Sequence, residues 1–552
     1  MLPSLCVLVR EAKFRLMRAL LLPASVVCRV KADPKKMGHH LLCKGRIVVQ
    51  HSVKRFPPLT DHGDVHATVA TAKNVKTIVD LSAHTGKPHQ QGDIETAFPK
   101  TPLWPSLIGK IFLEMPKCLG LPEGMVFEML TFMEGFQLSN GAFDERLNEG
   151  LSAFNFRYCP NDSQLFCINT PEGDFLVGVK IVDNLMFVST SDVLKDLLFE
   201  AVRSVGYNIV DEATDKFLGT QLDRKADGSL HMHQEYHAKK LLAKYNISGD
   251  SAPTPLSSSF TTEDYIESGM SLAIPIKHFQ SILGDVIWLT ITRYDIQHAM
   301  SALSQKTHYC SQRDYDEVLH VLRYILADPG KSLIFHRAPT NEQPASLRDV
   351  LDMPMFIMGS SDSAHRSSGR SAAPRDQTST FVRLGSPHNA AIYVSSKVSG
   401  PTLSACEAEN NATIAVMKEV LDTYLVLNWI GFRNISQIIV EGDNTSNIAM
   451  CTTTTSNARK KSRYFAGNAQ WIKQFSDHQL VRIVHTPGPD LASNALTKRV
   501  TEEEQAWSSE DMRGAIRRYS QIDTMPHVPI MKSDHERMWP LIPCSATADY
   551  DK

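Results

Sequence analysis

Short strand-like runs of apolar residues alternate with stretches of helical spacing over the first 250 positions. Strands are predicted where apolar and polar residues alternate between turn sequences, at 26–30, 43–49, 110–115, 125–130, 165–169, 175–190 and 217–234. Helices are predicted where apolar residues recur every three or four positions, at 64–83, 140–155, 192–205 and 236–245. This half of the chain therefore mixes helices and strands, with a hairpin predicted across the turn sequence PEGD (171–174).

The pattern changes twice in the second half. A linker rich in Pro, Ser and Thr runs from about Ser248 to Thr262 and leads into a helical block over 276–328. After a polar stretch at 338–350, an α/β pattern returns over about 354–500. Residues after Thr501 are charged and punctuated by proline, and we expect little regular structure there.

The composition is that of a globular protein with several domains. The 552 residues include 42% hydrophobic ones, enough for several cores, and the length suggests three or four domains. The formal charge of −2 argues against a simple polycation but leaves room for a local basic groove. Ten cysteines without a C-x-x-C motif exclude a zinc ribbon and predict free thiols in a reducing compartment.

Targeting and membrane signals are weak. The chain has no run of about 18 apolar residues, so no membrane span or membrane partner is expected. The apolar stretch Ala19–Val27 follows several basic residues, but it contains Pro23 and lacks a cleavage pattern. The sequence therefore predicts an intracellular protein, cytoplasmic or nuclear.

Acidic residues flanked by apolar ones are the candidates for chemistry. Asp93 and Asp183 lie in predicted strands of the first half, where a buried carboxylate is costly unless it is paired or binds metal. In the second half, Asp362 and Asp443 each end a predicted strand, and Glu407 and Glu409 open a predicted helix over 403–430. Such acids can converge on a metal pair. Turn, capping and helix-dipole roles remain open for all of them on this evidence.

Several segments of the first 305 residues occur in the same order as in the polymerase of copia-type LTR retrotransposons, which the chain resembles. They are CKGRIVV (43–49), GDIETAF (92–98), KIFLEMPKCLGLPEG (110–124), NDSQLF (161–166), KIVDNLMFVSTSD (180–192), KFLGTQL (216–222) and SILGDVIWLTITRYDIQHAMSALSQ (281–305). Each segment alone is a weak signal, whereas their common order indicates descent. Four later segments resemble the ribonuclease H of the same elements: SSDSAHRSS (360–368), LSACEAENNA (403–412), GDNTSNIAM (442–450) and DLASNALTK (490–498).

The resemblance implies a right-hand polymerase with fingers, palm and thumb, followed by a ribonuclease H-like α/β domain. The implied boundaries are an N-terminal remnant at 1–25, fingers and palm with the start of the thumb at 26–247, linker and thumb or connection helices at 248–350, the ribonuclease H-like domain at 354–500 and a tail at 501–552. The absence of protease-like, integrase-like and zinc-knuckle segments suggests a fragment of a polyprotein.

In the polymerase half, the resemblance implies that Asp93 and Asp183 are metal-binding catalytic carboxylates. Asn184 stands where the family has a second hairpin Asp, and a neutral amide cannot supply that charge. Lys44 and Arg46 would face the incoming nucleoside triphosphate. The segment 134–147 departs from the family pattern, with Gln137 as a shifted remnant, and Thr68 replaces a family proline.

In the second half, the implied catalytic and metal-binding set is Asp362, Glu409 and Asp443. Glu409 fits the family's helix start better than the alternative Glu407. Asn494 falls where a fourth acid is expected, with Asp490 four residues away. His485 resembles a mobile histidine of some ribonucleases H, but a surface histidine is the simpler interpretation.

The predicted function is therefore an RNA-directed DNA polymerase with a ribonuclease H domain, from a retrotransposon and with impaired catalysis. The cofactor would be Mg²⁺ or Mn²⁺ in two-metal sites, and the partners an RNA template, DNA, an RNA–DNA hybrid and dNTPs. The alternative is a non-catalytic nucleic-acid-binding descendant or a decayed fragment. Candidate phosphate contacts are the basic run Ala458–Tyr464 and the helix with Lys239, Lys240 and Lys244, each of which is equally compatible with a solvated surface.

Overall fold

The structure is a computed structural model. It describes residues 6–10, 20–32, 41–50, 70–104, 111–114, 125–260, 275–308, 310–339, 347–370, 373–453, 464–515 and 530.

The described elements comprise strands and helices in mixed order. The strands are β1 Cys6–Arg10, β2 Leu20–Ala32, β3 Leu41–Val49, β4 His89–Glu95, β5 Ile111–Glu114, β6 Met125–Met129, β7 Arg157–Cys159, β8 Asp162–Asn169, β9 Phe175–Ile181, β10 Asn184–Ser189, β11 Asn208–Asp211, β12 Lys216–Phe217, β13 Thr220–Arg224, β14 Leu230–His233, β15 Leu333–Phe335, β16 Phe356–Arg370, β17 Ala373–Gly385, β18 Ala391–Val398, β19 Ile438–Gly442 and β20 Val481–His485. The α-helices are α1 Ala72–His84, α2 Ser139–Ala153, α3 Asp192–Ser204, α4 Glu235–Lys244, α5 Ile276–Ile287, α6 Gln297–Ser304, α7 Gln312–Leu326, α8 Ala405–Ile430, α9 Thr445–Thr452, α10 Ala466–Asp477 and α11 Glu502–Met512.

The first sheet has the strand order β1-β6-β5-β2-β3. Strand β2 lies between β5 and β3 and runs parallel to β5 and antiparallel to β3. The described residues of the segment 1–25, which the sequence assigned to an N-terminal remnant, belong to this sheet. Cys6–Arg10 pairs with β6, and Leu20–Pro23 pairs with β5 and buries Leu22 completely.

The second sheet is antiparallel, with the order β11-β4-β10-β9-β8-β7. Side chains alternate between its two faces, as strand geometry requires. Leu185 and Phe187 pack with α2 and α3, whereas Met186 and Val188 pack in the core that contains α1. The hairpin predicted across PEGD is confirmed as β8–β9, and β9–β10 forms a second hairpin whose turn contains Asp183.

A helical unit and a small sheet follow. Helices α4 to α7 enclose a hydrophobic core of their own, which confirms the helical block predicted over 276–328. The small sheet has the order β12-β13-β14-β15, and its apolar residues join the larger core around α1.

The fourth sheet has the order β18-β17-β16-β19-β20. Strands β16, β17 and β18 are antiparallel, whereas β19 and β20 run parallel to β16. Helix α8 packs closely on β16, and the glycine at position 359 makes this close approach possible. A Cβ atom at Gly359 would lie only 2.5 Å from Cγ2 of Val416.

The sequence predicted that strand β16 ends at Asp362, and this prediction is wrong. The strand continues to Arg370 with an irregularity between Ala364 and Ser368. The polar residues beyond Asp362 stay in the strand because the long partner β17 continues the backbone ladder, which needs no apolar side chains.

The described helices include none that is long and apolar enough to cross a membrane. The cysteines whose side chains the structure describes are free thiols, as predicted: Cys159, Cys167, Cys310, Cys406 and Cys451.

The prediction of little regular structure after Thr501 is wrong for residues 502–512, which form α11. A capping box between Thr501 and Glu504 starts this helix. Its far end carries Asp511, whose carboxylate accepts a hydrogen bond from the Arg383 guanidinium on β17 (2.5 Å). Arg383 is only 1% exposed, so α11 supplies the charge that this buried cation requires.

We expect Asp511→Asn to lower the free energy of unfolding by about 3 kcal/mol, because it leaves a buried guanidinium without its counterion. Urea denaturation of the full chain measures this change. The control is Asp352→Asn, which removes an equally short but exposed pair with Arg433 (2.6 Å) and should cost no more than about 1 kcal/mol. Equal losses in the two variants would contradict the buried-pair interpretation.

Candidate functional site

Three carboxylates converge at one edge of the fourth sheet. The ligand oxygens of Asp362, Glu409 and Asp443 all lie within 4.8 Å of one another. Asp362 and Glu409 are buried, and Asp443 is half-buried. The structure therefore brings together the three acids that the resemblance selected in the second half of the chain.

The fold fixes each of these acids through a different element. Strands β16 and β19 are parallel and pair Ser360 with Glu441, so the same register carries Asp362 beside Asp443 just past the end of β19. Glu409 lies near the start of α8, whose N-cap is Ser404. Asn444 caps α9 immediately after Asp443.

The two candidate glutamates of α8 have different surroundings. Glu407 turns back to the helix start, where its Oε2 atom accepts a hydrogen bond from the Leu403 backbone N–H (2.8 Å). Glu409 faces the cluster, and its Oε1 atom accepts from the Ser363 N–H (3.1 Å). The geometry thus favours Glu409 over Glu407 as a ligand.

A loop after β20 closes over the cluster. Thr497 Oγ1 donates a hydrogen bond to Asp362 Oδ2, and a Cβ atom at Gly488 would lie 3.1 Å from Asp443 Oδ2. The segment DLASNALTK was recognised in the sequence, but the contact between Thr497 and Asp362 was not foreseen. A hydroxyl directly before a basic residue carries no signal of its own without the fold.

Burial and like charge disfavour ionisation of the cluster in the absence of a cation. Desolvation raises the pKa of Asp362, and the neighbouring Asp443 raises it further, although Thr497 and Lys498 oppose the change. Desolvation together with Asp362 and Asp443 raises the pKa of Glu409 to about 9. Within the described residues no side chain forms an ion pair with these three acids, and such crowded hard oxygen ligands fit a divalent cation such as Mg²⁺ or Mn²⁺.

The remaining candidates of this region lie around the cluster. Asn494 is buried on the closing loop, and its side-chain oxygen has no hydrogen-bond partner among the described residues. Asp490 is exposed on the same loop. His485 is exposed on β20 opposite Gly442, which agrees with the interpretation as a surface histidine.

A histidine that the sequence did not single out lies on β16, three residues after Asp362. His365 Nδ1 lies 3.1 Å from Oδ1 of Asp376 and 3.0 Å from Oγ1 of Thr402. Asp376 is completely buried, and its carboxylate also accepts from the Arg366 N–H and the Thr402 hydroxyl. The ring of His365 is therefore held at Nδ1. Because His365 and Asp376 are eleven positions apart, only the pairing of β16 with β17 brings them together.

In the first half, the β4–β10 pairing brings Asp93 and Asp183 together. Asp93 lies directly opposite Asn184, and the Ile94 N–H donates to the backbone oxygen of Asp183 (2.8 Å). The Asn184 side-chain amide donates to Oδ1 of Asp183 (3.1 Å). Within the described ranges, no third acidic, His or Cys side chain joins these two acids in a group compact enough to hold a metal ion.

The candidate phosphate contacts of the first half are partly engaged. Arg46 forms an ion pair with Glu134 (2.9 Å), and the side chain of Lys44 lies outside the described residues. On α4, Lys239 pairs with Glu235 and Lys244 pairs with Asp285. Of the basic run at 458–464, only Tyr464 lies within the described residues.

Comparison with known proteins finds similar sequences, with a family match in the first half of the chain. Residues 19–257 match the family model described as "Reverse transcriptase (RNA-dependent DNA polymerase)". The chain is 23% identical over 459 residues to the retrovirus-related Pol polyprotein from transposon RE1 of Arabidopsis thaliana, covering 82% of this chain and 29% of that protein. It is 21% identical over 453 residues to the corresponding polyprotein from transposon TNT 1-94 of Nicotiana tabacum, covering 80% of this chain and 32% of that protein.

The chain thus contains a reverse transcriptase-like region that resembles the Pol polyproteins of copia-type retrotransposons, which confirms the inference from the ordered segments. It spans less than a third of the length of these relatives. Among solved structures, the foamy viral protease-reverse transcriptase in complex with dsDNA aligns with 84% of this chain and 79% of that chain, at 13% identity and a TM-score of 0.43. This overlap is too loose to carry an assignment.

We expect millimolar Mn²⁺ to raise the thermal unfolding midpoint of the metal-free chain by about 3 °C, because a cation relieves the repulsion among the three carboxylates. Differential scanning fluorimetry in the presence and absence of Mn²⁺ measures the shift. Asp443→Asn should remove most of it, whereas Glu407→Gln on the same helix should keep it. An undiminished shift in Asp443→Asn would show that the cation binds elsewhere.

Proposed function

We propose that this chain is the reverse transcriptase and ribonuclease H portion of a retrotransposon Pol polyprotein, with a retained RNA-cleavage site and a weakened polymerase site. The single observation that carries the proposal is the convergence of Asp362, Glu409 and Asp443 within 4.8 Å. The proposed substrates are an RNA–DNA hybrid for the second half of the chain, and a primed RNA template with dNTPs for the first half.

In the ribonuclease site, the chain's own residues hold and orient the ligand oxygens. Asp362, Glu409 and Asp443 would hold the divalent cations, which when bound activate water and stabilise the leaving oxygen of the phosphodiester. The Thr497 hydroxyl fixes the orientation of Asp362, and the Ser363 N–H fixes that of Glu409. Such outer contacts usually change metal affinity or activity by 10–100-fold when they are lost. Asn494, without a charge, would weaken one of the two cation sites.

In the polymerase half, the first sheet would form the fingers and the second sheet the palm. Asp93 and Asp183 supply two carboxylates at the palm hairpin, and Asn184 supplies an amide that donates to Asp183. A metal pair there would have less negative charge to bind to than one held by three acids. Arg46 would also have to leave Glu134 before it could contact a triphosphate.

The alternative is a non-catalytic descendant that binds nucleic acid. Asn184 and Asn494 favour it, because both are neutral at positions where the resemblance implies acids. The two proposals differ in hybrid cleavage, since the alternative predicts binding of a hybrid without cleavage.

We expect the full chain to cleave the RNA strand of a labelled RNA–DNA hybrid in Mg²⁺ or Mn²⁺. Asp443→Asn should lower the cleavage rate at least about 100-fold, because it removes a metal-binding charge, and Thr497→Val should lower it about tenfold. Gel analysis of the labelled strand measures both rates. Glu407→Gln serves as the matched control and should cleave like the unaltered chain. Binding of an intact hybrid by the unaltered chain would establish the alternative instead.

We expect Asn184→Asp to increase primer extension on an RNA template at least about tenfold over the unaltered chain, because it restores a carboxylate beside Asp93 and Asp183. Incorporation of labelled dNTPs in Mg²⁺ and in Mn²⁺ measures the change. Asn155→Asp, in an exposed turn of the same unit, adds the same charge elsewhere and should change nothing. Strong extension by the unaltered chain would overturn the proposed weakening of this site.

A further inference from the structure

A cavity of about 730 Å³ is lined by residues from three regions of the sequence, and none of these lining residues belongs to either carboxylate site. Its walls come from α1, the turn at 160–163, the segment 290–297, strand β18 and helix α8. The volume is within the range of about 300–1,000 Å³ that is typical of sites for small organic ligands.

One buried cation lines this cavity without an acidic partner. Lys76 on α1 is only 4% exposed, and its Nζ atom donates to Oη of Tyr294 (2.7 Å) while lying 4.7 Å from the centre of that ring. No carboxylate in the described part of the chain forms an ion pair with it. Desolvation lowers the pKa of Lys76 to about 7. A buried ammonium of this kind is costly unless an anion accompanies it.

The other lysine of the same helix shows the contrast. Lys73 lies one turn earlier and forms ion pairs with both Glu419 (2.7 Å) and Asp422 of α8. Burial alone would lower the pKa of Lys73, but these two acids reverse the effect and raise it. The fold therefore supplies carboxylate counterions to Lys73, whereas Lys76 has a hydroxyl, that of Tyr294, as its hydrogen-bond partner.

The acids of the cavity are already engaged. Asp162 accepts hydrogen bonds from Nδ2 of Asn74 (2.6 Å) and from the Gln164 N–H (2.9 Å). Asp422 Oδ1 accepts from Nδ2 of Asn161 (2.8 Å), and its other oxygen binds Lys73. Apolar surface completes the walls, from Ile291, Tyr393, Val394 and Val426.

We propose that this cavity binds a small organic anion, whose carboxylate or phosphate group pairs with Lys76 and whose apolar body packs against Tyr393 and the neighbouring aliphatic side chains. The exposed Lys418 at the cavity wall adds a second cation toward which the anionic group can extend. Because α1, α8 and Tyr294 all contribute, the bound anion would hold three parts of the chain together. The proposal does not depend on either catalytic activity.

The test uses two probes on the full chain, benzoate for a carboxylate and phenyl phosphate for a phosphate, by isothermal titration calorimetry at pH 6.5. We expect at least one probe to bind with a stoichiometry near one, and Lys76→Met to weaken it at least tenfold. Lys225→Met, at an exposed hairpin, should bind like the unaltered chain. Whichever probe binds more tightly identifies the anionic group. Unchanged affinity in Lys76→Met, or no binding of either probe, would overturn the proposal.

A second measurement keeps the test valid if Lys76→Met fails to fold. Since only protonated Lys76 can pair with the anion, the affinity for benzoate should fall more than tenfold between pH 6.5 and 8.5. Lys76→Arg stays charged throughout and should lose this pH dependence. The other ionisable groups facing the cavity are common to both proteins: Lys73, Asp162, Tyr294, Lys418, Glu419 and Asp422. Identical pH profiles in the two proteins would exclude Lys76 as the binding group.

Discussion

The architecture depends on the burial of one polar helix. Every residue of α1 from Lys73 to His84 is buried, although more than half of this segment is polar or charged. Each polar group must then find a partner, because an unmatched buried one costs more than a hydrogen bond returns. The partners come from distant parts of the chain: Lys73 binds α8, Asn389 donates to Asp80 (2.5 Å), and His84 contacts the Pro354 carbonyl oxygen (3.1 Å). These contacts join the second sheet to the fourth through a single helix.

The local pattern of apolar residues was sufficient to predict most strands and helices. An element that buries one face shows apolar residues at a spacing of two in a strand and of about 3.6 in a helix. The pattern predicted a helix over 64–83. The structure begins this helix at Ala72, with Thr71 as its N-cap, and ends it at His84. The pattern could not show that the opposite face of α1 is buried as well. The same limit explains the error at 502–512. Helix α11 has almost no apolar periodicity, and it is held by a capping box and by the pair between Asp511 and Arg383, which lie 128 positions apart.

The candidate site also contains features that the sequence could predict and features that it could not. Asp362, Glu409 and Asp443 were selected by resemblance, and the choice of Glu409 over Glu407 agrees with their hydrogen bonds, since only the latter turns back to cap its own helix. The contacts of Thr497 and His365 could not be predicted. They depend on which residues a closing loop and a strand pairing bring together, and neither is encoded in a spacing along the chain.

Repulsion between neighbouring carboxylates arises at both carboxylate sites, and the two sites differ in how it is relieved. Acids that share a small volume repel one another, and either a cation or the loss of a charge relieves the repulsion. At the edge of the fourth sheet three carboxyl groups are kept close together, and the pKa of Glu409 is raised to about 9 because full ionisation is unfavourable there without a cation. At the β9–β10 hairpin, Asn184 stands where the resemblance implies an acid, and its side-chain amide donates a hydrogen bond to Asp183 beside the paired strands β4 and β10. A neutral amide at this position avoids one carboxylate–carboxylate repulsion and leaves less negative charge to attract a metal ion. The three acids at the other site are crowded at a cost in desolvation and repulsion, which a bound divalent cation would offset.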